Sequence, residues 1–338
     1  MFPAFHVGSD PDLTFYTYDR MVIRMRPEIN DSPSVHIRER VSFDVNGSKC
    51  AAWYYRGRNG ACVVMAGGLA MPKEPGTDMF AGRFNEAGYG VFAFDYRYIG
   101  ESAGTPRGVV RVRDQIEDWH RAIEVASTLP GVIENRIALW GFSLSGGHVI
   151  RVAAGNPRVA AVIAQTPNVD GAAATRNAAR HQRPGALLRF TAIALGDSVR
   201  GVFGLDPWMV PVAGVPGSVA VLTTPDAVDL DRALGAGNRY PSWRKSIAAR
   251  SALPLSRYRP ARDIANVSCP LLIVVCDDDQ SALADPAVRA EKNAPNSELV
   301  RMPGGHYEPF LDGHEHAVAV QLDFLQRRLA NHDQLAAS

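Results

Sequence analysis

The sequence predicts an α/β architecture: a mostly parallel twisted sheet flanked by helices and interrupted by an inserted cap. Three observations carry that prediction. Short apolar runs alternate with amphipathic helical stretches as far as Gln165, the same alternation resumes at Pro270, and between Thr166 and Asp263 it stops. The chain therefore divides into an N-terminal arm (1–35), a core built from 36–165 and 263–338, and a cap or lid insertion (166–262).

The elements follow in order. Val41–Val45 and Ala51–Tyr55 read as strands joined by the Asn46-Gly47 turn, and Ala61–Ala66 reads as a third. Phe80, Phe84 and Ala87 recur at helical spacing over Met79–Ala87, which Gly88 ends, and Val91–Phe94 is the next strand. Val112, Ile116, Trp119, Ile123 and Ala126 form one apolar stripe, with Asp114, Glu117 and Asp118 favouring its N-terminal half. Arg136–Gly141 and Val159–Gln165 are strands around a helix that starts within Ala138–His148, a βαβ unit. After the insertion come the strand Leu271–Cys276, a helix capped by Asp285 with Pro286 at its first position, and the strand Glu298–Met302. A final helix follows, with Val318, Leu322, Leu325 and Leu329 on one face. In the arm, Met21–Arg26 is strand-like, and the arm as a whole reads as cap support or as the contact of a homodimer.

Composition narrows the partners. A chain of 338 residues with 46% hydrophobic and 21% charged residues is ordinary globular material. Its net charge of +1 offers no basic field for nucleic acid, so a small molecule is the expected partner. Cys50, Cys62, Cys269 and Cys276 show neither C-x-x-C nor Cys/His metal spacing and read as buried thiols of a reducing compartment. The start lacks a secretory pattern and no apolar run is long enough for a membrane span, so cytoplasmic residence is expected. Neither a metal nor another cofactor is implied: His314 and His316, two apart, do not share a helix face.

The chemistry centres on Ala138-Leu-Trp-Gly-Phe-Ser-Leu-Ser-Gly-Gly-His148, where Ser143 and Ser145 each complete a small-x-Ser-x-small turn. Such a turn exposes a serine where a strand ends, and Ile137–Trp140 is the last apolar stretch, which favours Ser143. Ser145 then falls in the first helical turn. A serine hydroxyl needs a base, an orienting carboxylate and N–H groups aimed at the developing oxyanion. His306, in a glycine loop directly after a strand, is the candidate base, with His314 and His316 at the start of the last helix as neighbours. Asp277, Asp278 and Asp279 all follow the strand Leu271–Cys276; Asp279 is favoured, and Asp170 is the outside alternative. Gly67-Gly68 after the third strand points to the backbone N–H of Leu69, together with that of Leu144, as the oxyanion donors. Phe190, Phe203, Trp208 and Met209 of the insertion are candidates to line an apolar substrate pocket, or to form the cap's own core.

Taken together, Gly141–Ser145, Asp279, His306 and the stretch Asp95-Tyr-Arg-Tyr-Ile-Gly-Glu-Ser102 resemble the α/β-hydrolase superfamily over residues 36–330. "FDYRYIGES", "ALWGFSLSGGHV" and "VPVAGVPG" look like a branch that includes polyketide acyltransferases, next to dienelactone-hydrolase and X-Pro-peptidase-like groups. Two departures stand out: Gly67 occupies the position of a usual histidine, and Ser145 that of a usual glycine. The resemblance implies an α/β-hydrolase fold and a serine hydrolase acting on a small, fairly apolar ester, thioester or lactone through an acyl-enzyme. The same acyl-enzyme could instead deliver its acyl group to an alcohol or amine. A third alternative is a hydrolase-like binding protein without turnover, which an active-site-directed fluorophosphonate would leave unlabelled.

Overall fold

A computed structural model describes residues 14–18, 21–28, 38–235, 240–241 and 243–329, the first two stretches as backbone only. In chain order the strands are β1 Thr14–Tyr18, β2 Met21–Glu28, β3 Arg38–Val45, β4 Ser48–Tyr55, β5 Cys62–Ala66, β6 Gly90–Phe94, β7 Ile137–Phe142, β8 Val159–Gln165, β9 Met209–Pro211, β10 Ser246–Ala248, β11 Leu271–Cys276 and β12 Ser297–Met302. The helices are α1 Lys73–Glu86, α2 Val112–Ala126, α3 Leu144–Ala153, α4 Gly171–Arg180, α5 Pro184–Val202, α6 Leu230–Leu234, α7 Ala252–Leu255, α8 Ala284–Glu291 and α9 His314–Leu329.

All strands except β9 and β10, which pair with each other, join one sheet in the order β1-β2-β3-β4-β6-β5-β7-β8-β11-β12. Neighbours from β6 to β12 run parallel, while β1 to β4 and the β4–β6 join are antiparallel. The central strands β5, β6, β7 and β11 are buried along their whole length, as strands covered by helices on both faces must be. Helix α1 packs beside α9, and α2 packs on α3. The Asn46-Gly47 hairpin turn is present, with positive φ at both residues. Strand β2 occupies the strand-like stretch of the arm, and with β1 it extends the sheet edge.

Three local expectations shift. Helix α1 begins at Lys73, six residues before the periodic stretch, because the buried carboxylate of Asp95 accepts the Lys73 backbone N–H at 2.6 Å. A tertiary partner thus satisfies an orphan donor of the helix start, which no local pattern announces. Helix α8 begins at Ala284, so Asp285 and Pro286 lie inside the first turn, where a missing N–H costs nothing, and Leu283 takes the cap position. The insertion, which shows no alternation, contains two well-formed helices, α4 and α5. Helix α5 escapes a narrow-stripe reading because its apolar arc is wide: Leu187 and Phe190 line a cavity, while Leu188, Leu195, Val199 and Val202 face solvent.

Candidate active site

The site lies where β5, β7, β8 and β11 end, the usual ligand edge of a parallel sheet. Ser143 follows β7 directly and heads α3 with φ +57°, ψ −115°, a conformation that costs on the order of 1–3 kcal/mol for a residue with a side chain. The surroundings hold it there. Its N–H donates to Gln165 O at 2.9 Å, and its carbonyl accepts from Asn168 N at 2.9 Å and Gly147 N at 3.2 Å. The turn is so tight that a Cβ at Gly141 would stand 2.2 Å from the carbonyl oxygen of Ser145. Of the two serines, only Ser143 has a partly exposed side chain on the cavity.

His306 Nε2 lies 2.9 Å from Ser143 Oγ, and its Nδ1 lies 2.7 Å from Asp279 Oδ2. The other Asp279 oxygen accepts from the backbone N–H of Ser281 (2.9 Å) and Ala282 (2.6 Å), which fixes the carboxylate's rotation. The imidazole is fully enclosed, its centroid 5.0 Å from the Phe142 ring and 4.9 Å from that of Tyr307. Burial works against its protonated form, yet the charge and hydrogen bond of Asp279, and then the charge of Asp226, raise its pKa above the ordinary histidine value. A serine hydroxyl in such a chain can pass its proton to imidazole while the carboxylate stabilises the cation that forms.

Three competing candidates have partners elsewhere. Asp277 pairs with Arg301, while Asp170 caps α4 through the N–H groups of Ala172 and Ala173 and binds Arg259. His314 Nδ1 meets the carbonyl of Pro309 and its ring packs edge-on to Phe80. His148, a further histidine on α3, is buried between Gln115 and Tyr258, and burial pushes it down to about 3.

Ser145 is fully buried; its Oγ is 2.5 Å from Tyr96 Oη and donates to the carbonyl of Gly67. It therefore ties the first turn of α3 to the glycine loop after β5. Leu69 of that loop and Leu144, the first residue of α3, both line the cavity beside Ser143. A first-turn N–H has no partner inside its own helix, and a Cβ on Gly68 would stand 3.2 Å from that of Ser143. The stretch after β6 anchors the same loop from behind. Asp95, fully buried, is 3.1 Å from Lys73 Nζ and accepts Glu101 N at 2.8 Å, while Ser102 Oγ donates to the Asp95 carbonyl.

The cavity over Ser143 has a volume of about 210 Å³ and is walled largely by apolar groups from α4, α5, α7 and residues 220–222, with Gln182 and Thr191 among the polar ones. Phe190 is part of this wall. Phe203, Trp208 and Met209 are not, being 74%, 46% and 41% exposed on the outside of the insertion. Helix α5 turns one side inward, and its C-terminal end with the residues just beyond it faces solvent. Asp226, in the insertion and 8% exposed, reaches the loops that carry Asp279 and His306, a contact that sequence reading missed. Thr224-Pro225 signals a helix start there, but nothing local signals a partner 80 residues away.

All four cysteines are free thiols; Cys50, Cys62 and Cys276 are buried and Cys269 is half-buried. No helix among the described residues is long and apolar enough to cross a membrane.

A cavity at the C-terminal ends of a parallel sheet, with a serine on the sharp turn after a central strand, marks the open α/β class. The chain belongs to the alpha/beta hydrolase family, whose sequence pattern matches residues 75–321. It is 36% identical over 308 residues to the quorum-quenching protein AidA of Acinetobacter baumannii, covering 90% of this chain and 98% of that one. It is 28% identical over 297 residues to the polyketide transferase grgF of a Penicillium species, covering 85% and 95%. The crystal structure of the alpha/beta hydrolase GrgF from Penicillium superposes with a TM-score of 0.72 at 25% identity, over 87% of this chain and 99% of that chain. The monoacylglycerol lipase of Paleococcus ferrophilus, 18% identical, shares the fold with a TM-score of 0.61 over 82% of this chain and 98% of that one.

Proposed function

We propose that the protein is a serine hydrolase that cleaves a small, fairly apolar carboxylic ester, thioester or lactone through an acyl-enzyme. The observation that carries this reading is the unbroken Ser143–His306–Asp279 hydrogen-bonded chain at the floor of an apolar cavity. In it, His306 takes the proton of Ser143 as Oγ attacks the carbonyl carbon, Asp279 holds the imidazole and stabilises the imidazolium, and the N–H groups of Leu69 and Leu144 receive the oxyanion. The imidazolium protonates the leaving alkoxide or thiolate, and the reverse sequence with water releases the acid and restores Ser143. The insertion 166–262 acts as the cap that encloses the acyl group, with Phe190 in its wall. Activity on a lactone would agree with the similarity to a quorum-quenching protein. Labelling by a fluorophosphonate that disappears in Ser143→Ala is the expected result; labelling that survives that substitution would overturn the reading.

The second reading keeps the acyl-enzyme and delivers it to an alcohol or amine. The similarity to a polyketide transferase and the largely apolar wall of the cavity, which suits an acyl chain better than water, support it. An activated ester supplied with an excess of acceptor alcohol decides between the two, free acid marking hydrolysis and the new ester marking transfer.

A further inference from the structure

We propose that Asp226 is a positioning residue for Ser143, His306 and Asp279: a carboxylate supplied by the inserted segment that locks the Asp279 and His306 loops to that segment, so that the reactive geometry is complete only when the segment is seated. This inference rests on the serine-hydrolase reading above.

The contacts are specific. One Asp226 oxygen accepts three backbone N–H groups, from Gln280 at 2.8 Å, Ser281 at 3.2 Å and His306 at 3.3 Å. The other accepts the Ser281 hydroxyl at 2.9 Å, and Ser281 Oγ is in turn 2.8 Å from Thr224 Oγ1. Gln280 and Ser281 directly follow Asp279, so one carboxylate holds the residues after the acid and the backbone of the base at once. Gly305 leaves the space for this approach: a Cβ there would stand 3.3 Å from that of Asp226.

A buried carboxylate without a cation is costly, and among the described residues neither lysine nor arginine pairs with Asp226. Burial alone would raise its pKa, yet the facing His306 and hydrogen bonds from Thr224, Gln280 and Ser281 hold it below the usual carboxylate range. The groups that face the imidazole are Asp279 from the loop after β11, Ser143 from the turn after β7, Tyr307 from its own loop and Asp226 from the insertion. Tyr307 is kept neutral by burial. Asp226 is thus a second negative charge behind the base, placed to favour the imidazolium that forms in the transition state.

The test is a pH profile of kcat and kcat/KM on a p-nitrophenyl ester for the full-length wild type, Asp226→Asn and Ser281→Ala, with fluorophosphonate labelling of each. D226N keeps the shape and an oxygen for the three N–H groups but removes the charge. It should lower kcat on the order of ten- to a hundred-fold, leave KM within a few-fold, and move the acid limb of kcat/KM to lower pH. S281A loosens the tie without removing the charge; it should lower kcat and leave the limb in place. Wild-type kcat and an unmoved limb in D226N overturn the proposal. Should D226N fail to fold, an unchanged kcat in S281A overturns it instead. A wild type that neither labels nor turns over defeats the hydrolase reading itself, which separates the two failures.

Discussion

Replacing Ser145 with alanine tests whether the two serines of the turn have been told apart. The side chain is fully buried and makes two hydrogen bonds, to Tyr96 Oη at 2.5 Å and to the carbonyl of Gly67. Stranding a buried partner costs about 1–3 kcal/mol, and Tyr96 keeps the Trp119 indole N–H at 2.7 Å as a second contact. The total loss comes to about 2–3 kcal/mol. For a chain of 338 residues, an unfolding entropy of about 2.1 cal/mol/K per residue converts this into a Tm drop of about 3–4 °C. Gly67 lies two residues before Leu69, so a looser loop should reduce kcat/KM about tenfold, equivalent to about 1.4 kcal/mol of transition-state stabilisation. Ser143→Ala, by contrast, should leave Tm nearly unchanged, or raise it by relieving crowding at the turn, and abolish labelling, with turnover down on the order of a million-fold. Thermal denaturation, ester hydrolysis and fluorophosphonate labelling of both variants read all of this. A Ser145→Ala variant that no longer labels, beside a Ser143→Ala variant that does, would show that the frame of the turn was misassigned.

Three further outcomes follow from the same contacts. Because His306 must be neutral to accept a proton and its pKa lies above the ordinary value, kcat/KM should fall as pH drops through that raised pKa; a rate that stays flat well below the usual histidine range would contradict its role as base. Ala178→Phe, in the cavity wall, should shift preference in a p-nitrophenyl ester series to shorter acyl chains, whereas Phe203→Ala, on the outside of the insertion, should not; the opposite pattern would relocate the pocket. Asp95→Ala leaves Lys73 buried with only its contacts to Glu101 and Glu74 and strands two backbone N–H groups, so it should destabilise by about 3–5 kcal/mol. Glu101→Ala, at a partly exposed position, should cost visibly less in the same denaturant titration.

The strands were legible because fully buried parallel strands are written as unbroken apolar runs: Cys62–Ala66, Ile137–Phe142 and Leu271–Cys276 coincide with theirs within a residue or so. Ser143 was legible for a related reason, since the end of one such run marks where the chain must turn. Asp279 and His306 could be proposed because each follows a readable strand. Choosing them over Asp277, Asp170 and His314 depends on partners that lie far off in the chain, such as Arg301 and Arg259.

The insertion was the least legible part. Its helix α5 is apolar over a wide arc, part of it on the cavity and part in solvent, so no narrow stripe marked it, and the same composition placed Phe190 in the cavity wall and Phe203 in solvent. The early start of α1 depended on Asp95, 22 residues later, and the contacts of Asp226 span 54 to 80 residues. What the sequence by itself determined was the set of elements that repeat with a local period, together with the positions where they end. What only the tertiary structure decided was which polar groups meet. A hydrogen bond is set by approach within about 3 Å, and that approach comes from the packing of elements that carry no local record of each other.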